Sequence, residues 1–130
     1  MSELGTNKVL ITGAAGWLGL NLVEVLTQGI KDHPVLANGF KGIDVRCLLL
    51  EEQDEKELLD IFPKAEIVRG NVCSNGDCAK LCAGMEGAYL FHVAGIIHPR
   101  KVKDLYDVNV EGTRNLLRAA SDAGVKRAVI

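Results

Sequence analysis

Apolar and polar positions alternate in blocks of two kinds along the 130 residues. Short, nearly unbroken apolar runs begin at Lys8 and recur at residues 45–50, 65–69, 88–93 and 125–130. Runs of that length without alternation fit strands covered on both faces of a parallel sheet. Between them, apolar residues recur at three- and four-residue steps, which predicts helices over 17–28, over 54–61 ahead of Pro63, over 77–83 ahead of Gly84, and over 102–123 ahead of Gly124. In the longest, Leu105, Val108, Gly112, Leu116 and Ala120 share a face narrow enough to lie against a sheet. Residues 29–42, with Pro34, Asn38, Gly39 and Gly42, read as a loop joining two halves of one domain. Five strands alternating with helices predict an α/β domain over 1–130, with a doubly wound parallel sheet built by right-handed crossovers.

Composition narrows the partners. With 48% hydrophobic and 25% charged residues the chain is of ordinary globular make-up, enough for one core and too small for two. A net charge of −2, with no run of more than two basic residues, lacks the footprint of a nucleic-acid binder. Residues 1–7 contain no apolar leader, and no stretch has the roughly 18 apolar residues of a membrane span, so a soluble cytoplasmic protein is expected. Cys47, Cys73, Cys78 and Cys82 follow no disulfide or zinc spacing, so free thiols and no metal site are expected.

The chemistry concentrates where the first apolar run meets the first helix, through Thr12, Gly13, Gly16 and Gly19. A strand, a tight turn and a helix start in that order bind a pyrophosphate: Gly13 turns the chain off the strand, Gly16 admits the phosphates, and Gly19 lets the helix pack close to the sheet. The unpaired amides at the helix start, including those of Trp17 and Leu18, then face the anion. Trp17 itself reads as a packing residue whose backbone meets the phosphate. In such a fold the strand order is 3-2-1-4-5, with the ligand crossing the carboxyl edge where the winding reverses between the first and fourth strands.

Two residues, rather than one, separate each pair of glycines, and Thr12-Gly13-x-x-Gly16-x-x-Gly19 resembles the extended short-chain dehydrogenase/reductase family of NAD-dependent epimerases, dehydratases and 3β-hydroxysteroid dehydrogenases. Three later stations are similar. Gly70-Asn71-Val72 resembles the family's Gly-Asp-Val/Leu, which implies contact of Asn71 and the Val72 amide with adenine. His92-Val93-Ala94-Gly95 resembles His-Leu-Ala-Ala, which implies that Val93, Ala94 and Gly95 let the ribose and pyrophosphate lie against the backbone. Asp107 through Thr113 matches Asn-Val-x-Gly-Thr, which places Asn109 on the nicotinamide side. After the second strand, Glu51 or Glu52 stands where a carboxylate would hydrogen-bond the ribose hydroxyls and repel a 2′-phosphate, favouring NAD over NADP; solvated charges of a surface turn are the alternative. His92 reads as a strand-end histidine hydrogen-bonded to backbone rather than a proton donor.

The resemblance implies a doubly wound (Rossmann) fold and an enzyme that oxidises or reduces a small-molecule hydroxyl or carbonyl, on a sugar nucleotide, a steroid or a similar alcohol, as a homodimer at full length. The family's Ser and Tyr-x-x-x-Lys have no counterpart: Val93 stands four residues after Tyr89, and Val110 four after Tyr106. The expectation is therefore the N-terminal cofactor-binding portion of a longer enzyme, stopping at the fifth strand, with Leu90 and Val129 left apolar and uncovered. The alternative is a non-catalytic dinucleotide-sensing or interaction domain of the same fold.

Overall fold

The computed structural model describes residues 4–130; residues 1–3, part of the segment read as lacking a leader, lie outside the described residues. Five strands, β1 (Lys8–Thr12), β2 (Asp44–Leu49), β3 (Glu66–Arg69), β4 (Tyr89–His92) and β5 (Arg127–Val129), form one parallel sheet in the order β3-β2-β1-β4-β5. This is the expected doubly wound α/β arrangement. Alternate residues of β1 serve opposite faces, which is why the run is unbroken. Val9 and Ile11 pack under α1 (Trp17–Gln28) and α2 (Lys56–Ile61), and Leu10 packs under α3 (Asn75–Cys82) and the long helix near the chain's end, all three fully buried.

Side-chain chemistry moves several element ends away from where periodicity puts them. α3 starts two residues early because the Ser74 hydroxyl accepts the Asp77 amide and caps it. Arg46, in mid-strand on β2, donates to the carbonyls of Leu81 and Ala83 at 2.8 and 2.7 Å and holds the other end of α3. The helix predicted over 102–123 consists of α4 (Val102–Tyr106), a π-helical segment (Asp107–Gly112) and α5 (Thr113–Asp122). An apolar stripe at three- and four-residue steps does not reveal a widened turn. Leu90, expected to be uncovered, is fully buried under α3 and α5, because β4 turns that residue to the covered face. Val129 is half-exposed, and β5 is exposed along its length.

Candidate functional site

Each glycine after β1 has its own structural reason. Gly13 has φ +72°, and a Cβ there would lie 2.7 Å from the Ala94 amide nitrogen, so it seats the turn against the chain leaving β4. A Cβ on Gly19 would lie 2.1 Å from the Gly13 carbonyl oxygen and 2.6 Å from Ala14 Cα; this glycine packs α1 onto its own turn rather than onto the sheet. Gly16 is different. Its φ is −83°, and a Cβ would meet only the Gly13 carbonyl oxygen, at an ordinary 3.4 Å. Gly16 caps α1 without a side-chain hydrogen bond, and the first bond across the helix start runs from the Leu20 amide to the Gly16 carbonyl. The amides of Trp17, Leu18 and Gly19 lie ahead of that bond, at the positive end of the helix.

A cavity of about 220 Å³ opens beside this turn, across the carboxyl ends of β1 to β4. Of the anticipated residues, Gly13, Gly16, Asn71, Val72, Val93, Ala94 and Gly95 line it, joined by Gly70 of the quoted motif and by Leu50, Gln53, Ile96 and others to which sequence reading gave no contact. Trp17 and Leu18 are 82% and 56% exposed, so Trp17 at the first position of the helix turns its side chain mainly to solvent rather than into the packing expected of it. Glu51 is exposed in the turn after β2, and Gln53 supplies that turn's contribution to the cavity wall. The Gln53 side-chain carbonyl accepts the Leu50 amide at 2.9 Å. Arg69 donates to the carbonyls of Leu50 and Gln53 at 2.9 and 2.5 Å and pairs with Glu55, so it fastens the whole turn.

Asn71 lines the cavity with its amide group partly engaged: Oδ1 accepts the Cys73 amide, and its own backbone N–H donates to Asp77 Oδ2, both at 2.9 Å. Gly70 is required by that carboxylate, since a Cβ would lie 2.7 Å from Asp77 Cβ. Asn109 stands on the π-helical segment, outside the cavity lining. Its Oδ1 accepts the Ile96 amide at 3.0 Å and its Nδ2 donates to the Ile96 carbonyl at 2.8 Å, so it reaches the cavity through the loop that it grips.

Residues 9–130 match the family model described as the NAD dependent epimerase/dehydratase family. The chain belongs to this family. Sequences similar to it include the uncharacterized protein y4nL of Sinorhizobium fredii, 44% identical over 94% of this chain and 33% of that protein. A 3 beta-hydroxysteroid dehydrogenase/Delta 5-->4-isomerase of Mycobacterium tuberculosis is 35% identical over 98% of this chain and 31% of its own length. Among solved structures, a short-chain dehydrogenase/reductase superfamily protein from Agrobacterium tumefaciens with bound NAD superposes with a TM-score of 0.66 at 27% identity, over 93% of this chain and 31% of that one. The chain thus spans about a third of the length of each of these relatives.

In this chain of the epimerase/dehydratase family the histidine that ends β4 is held differently from the expected backbone contact. His92 is 5% exposed, its Nδ1 lies 2.6 Å from Thr12 Oγ1, and its Nε2 lies 2.9 Å from Thr113 Oγ1. Burial pushes its pKa below the ordinary histidine value. The Thr12 hydroxyl also accepts the Ala94 amide at 3.2 Å, and the Thr113 hydroxyl donates to the Asn109 carbonyl at 2.7 Å. Sequence reading placed both threonines in its motifs but gave neither a role. A threonine four residues after Asn109 on a helix is a usable sign, because its hydroxyl reaches the preceding turn's carbonyl. Among the described residues no three His, Cys, Asp or Glu side chains gather at a metal-binding distance, and no helix is long and apolar enough to cross a membrane.

Proposed function

We propose that this chain is the dinucleotide-binding portion of an epimerase/dehydratase-family oxidoreductase that acts on a hydroxyl or carbonyl of a small molecule, with NAD as the preferred cofactor. Gly16 carries this reading. Gly13 and Gly19 are dictated by the protein's own backbone, whereas nothing in the protein forbids a side chain at Gly16, which lines the cavity at the start of α1. A pyrophosphate seated on the amides of Trp17, Leu18 and Gly19 supplies the missing reason. Gly95, Val93 and Val72 offer a largely apolar wall along which ribose and base can lie. When bound, the nicotinamide takes or returns a hydride at the substrate carbon; this chain's part is to bind and orient it. The mycobacterial relative makes a 3β-hydroxysteroid the first substrate to try with a chain of the relatives' length.

Preference for NAD rests on the turn after β2. Glu51, Glu52, Asp54 and Glu55 surround it, and Arg69, the cation that fastens it, already binds two carbonyls and Glu55. A 2′-phosphate would meet carboxylates there. Titration calorimetry tests both parts. Gly16→Val should weaken NAD binding by about a hundredfold or more, ~2.8 kcal/mol, while Asn38→Ala in the distant loop leaves it unchanged. Undiminished binding by Gly16→Val would refute the site. NAD should bind more tightly than NADP, and Glu51→Ala should narrow the difference; a parent chain that prefers NADP overturns the assignment.

A further inference from the structure

We propose that His92 is a positioning residue of the cofactor site: neutral, with its proton on Nε2, it links two threonine hydroxyls into a ring of hydrogen bonds that fixes residues 93–96 at both ends. The assignment of protons follows from the heavy atoms. A carbonyl only accepts, so the single hydrogen of the Thr113 hydroxyl goes to the Asn109 carbonyl, 2.7 Å away. The same oxygen must then accept from His92, which puts the proton on Nε2 at 2.9 Å. In a neutral imidazole the other nitrogen accepts, so Nδ1 takes the Thr12 hydroxyl hydrogen at 2.6 Å. That leaves the Thr12 oxygen to accept the Ala94 amide at 3.2 Å.

Every donor in the series has one acceptor. The series also closes on itself: from Ala94 through Thr12, His92 and Thr113 to Asn109, whose side chain clasps both backbone groups of Ile96. Ala94 and Ile96 both line the cavity, so the ring determines the shape of the wall that they form. Three elements meet in it: the end of β1, the end of β4 and the junction of the π-helical segment with α5. Burial of His92, which disfavours the imidazolium, agrees with the neutral form. An imidazolium would have to donate from Nδ1 and would displace the Thr12 hydrogen from its acceptor.

The effect on cofactor affinity rests on the proposed function; the ring does not, so the two are tested separately on the full 130-residue chain. Nitrogen-15 NMR at neutral pH with no dinucleotide added should show His92 protonated at Nε2 alone, with slow hydrogen exchange at the Ala94 and Ile96 amides. Thr113→Val keeps the shape and removes the hydroxyl; exchange at both amides should quicken about tenfold, and Thr113→Ser should restore it. The same pair should weaken and restore NAD binding by about tenfold. A proton on Nδ1, an imidazolium, or parent-like exchange in Thr113→Val overturns the ring. A loosened loop with unchanged NAD affinity overturns the positioning role. If the ring behaves as expected and the parent chain does not bind NAD, the functional reading fails and the ring stands.

Discussion

Residue by residue, burial decides which groups can change charge. Cys47 lies under α1 with its thiol pushed up to about 12, and Cys78 is pushed up to about 11, so both stay protonated and inert. His92 moves the other way, below the ordinary 6.5. The unfolded chain therefore binds the His92 proton at a higher pH than the folded chain does. The stability contributed by neutral His92 is present in full above 6.5 and is lost as pH falls from there through the depressed folded value. Thermal melts of the parent and His92→Gln between about pH 7.5 and pH 5.5 should show the parent's midpoint falling further than the variant's. Parallel curves would mean that folded His92 takes up its proton as readily as a free imidazole.

Among the elements, the same substitution has opposite signs at two helical glycines. Gly112 brings the end of the π-helical segment against the loop after β3, and a Cβ there would lie 2.6 Å from Val72 Cγ2 and 3.2 Å from Val72 Cβ, in a residue only 4% exposed. Gly112→Ala should cost about 1–3 kcal/mol, as overpacking does, and should also weaken dinucleotide binding because Val72 lines the cavity. Gly76, in the first turn of α3, has helical neighbours and only the Ser74 hydroxyl at 3.8 Å. Gly76→Ala should stabilise by about 0.4–1 kcal/mol by restricting the unfolded chain. Denaturant titrations measure both, and equal signs would contradict the packing described.

For the whole molecule, two apolar layers sandwich the sheet unevenly. The cores on its two faces meet across β1, β2 and β4, whereas β5 pairs only with β4 and leaves its outer edge free. Val129 is 50% exposed and Ile130 74% exposed beside that edge. A free edge with apolar residues templates further strand pairing, and a net charge of −2 opposes association only weakly. Sedimentation velocity should therefore find association that grows with concentration, reduced by Val129→Lys. Identical monomeric profiles for both chains at every concentration would show that Lys126 and Arg127 already protect the edge.

Local properties were legible in the sequence. Strand runs, helix periods and glycine spacing gave the α/β class, the order β3-β2-β1-β4-β5 and the turn at Gly13, Gly16 and Gly19, because backbone conformation and burial on both faces are set within a few residues. Seven of the anticipated site residues line one cavity for the same reason: each follows a strand end, and a doubly wound sheet gathers strand ends at its carboxyl edge. Choices among neighbours were not legible. Tertiary packing put Gln53 rather than Glu51 on the cavity wall, turned Trp17 outward and Leu90 inward, and committed the Asn109 amide to Ile96. A shift of one residue reverses the face a side chain occupies. The partners of His92, 80 and 21 residues away in the chain, meet only when β1, β4 and the long helix are packed together.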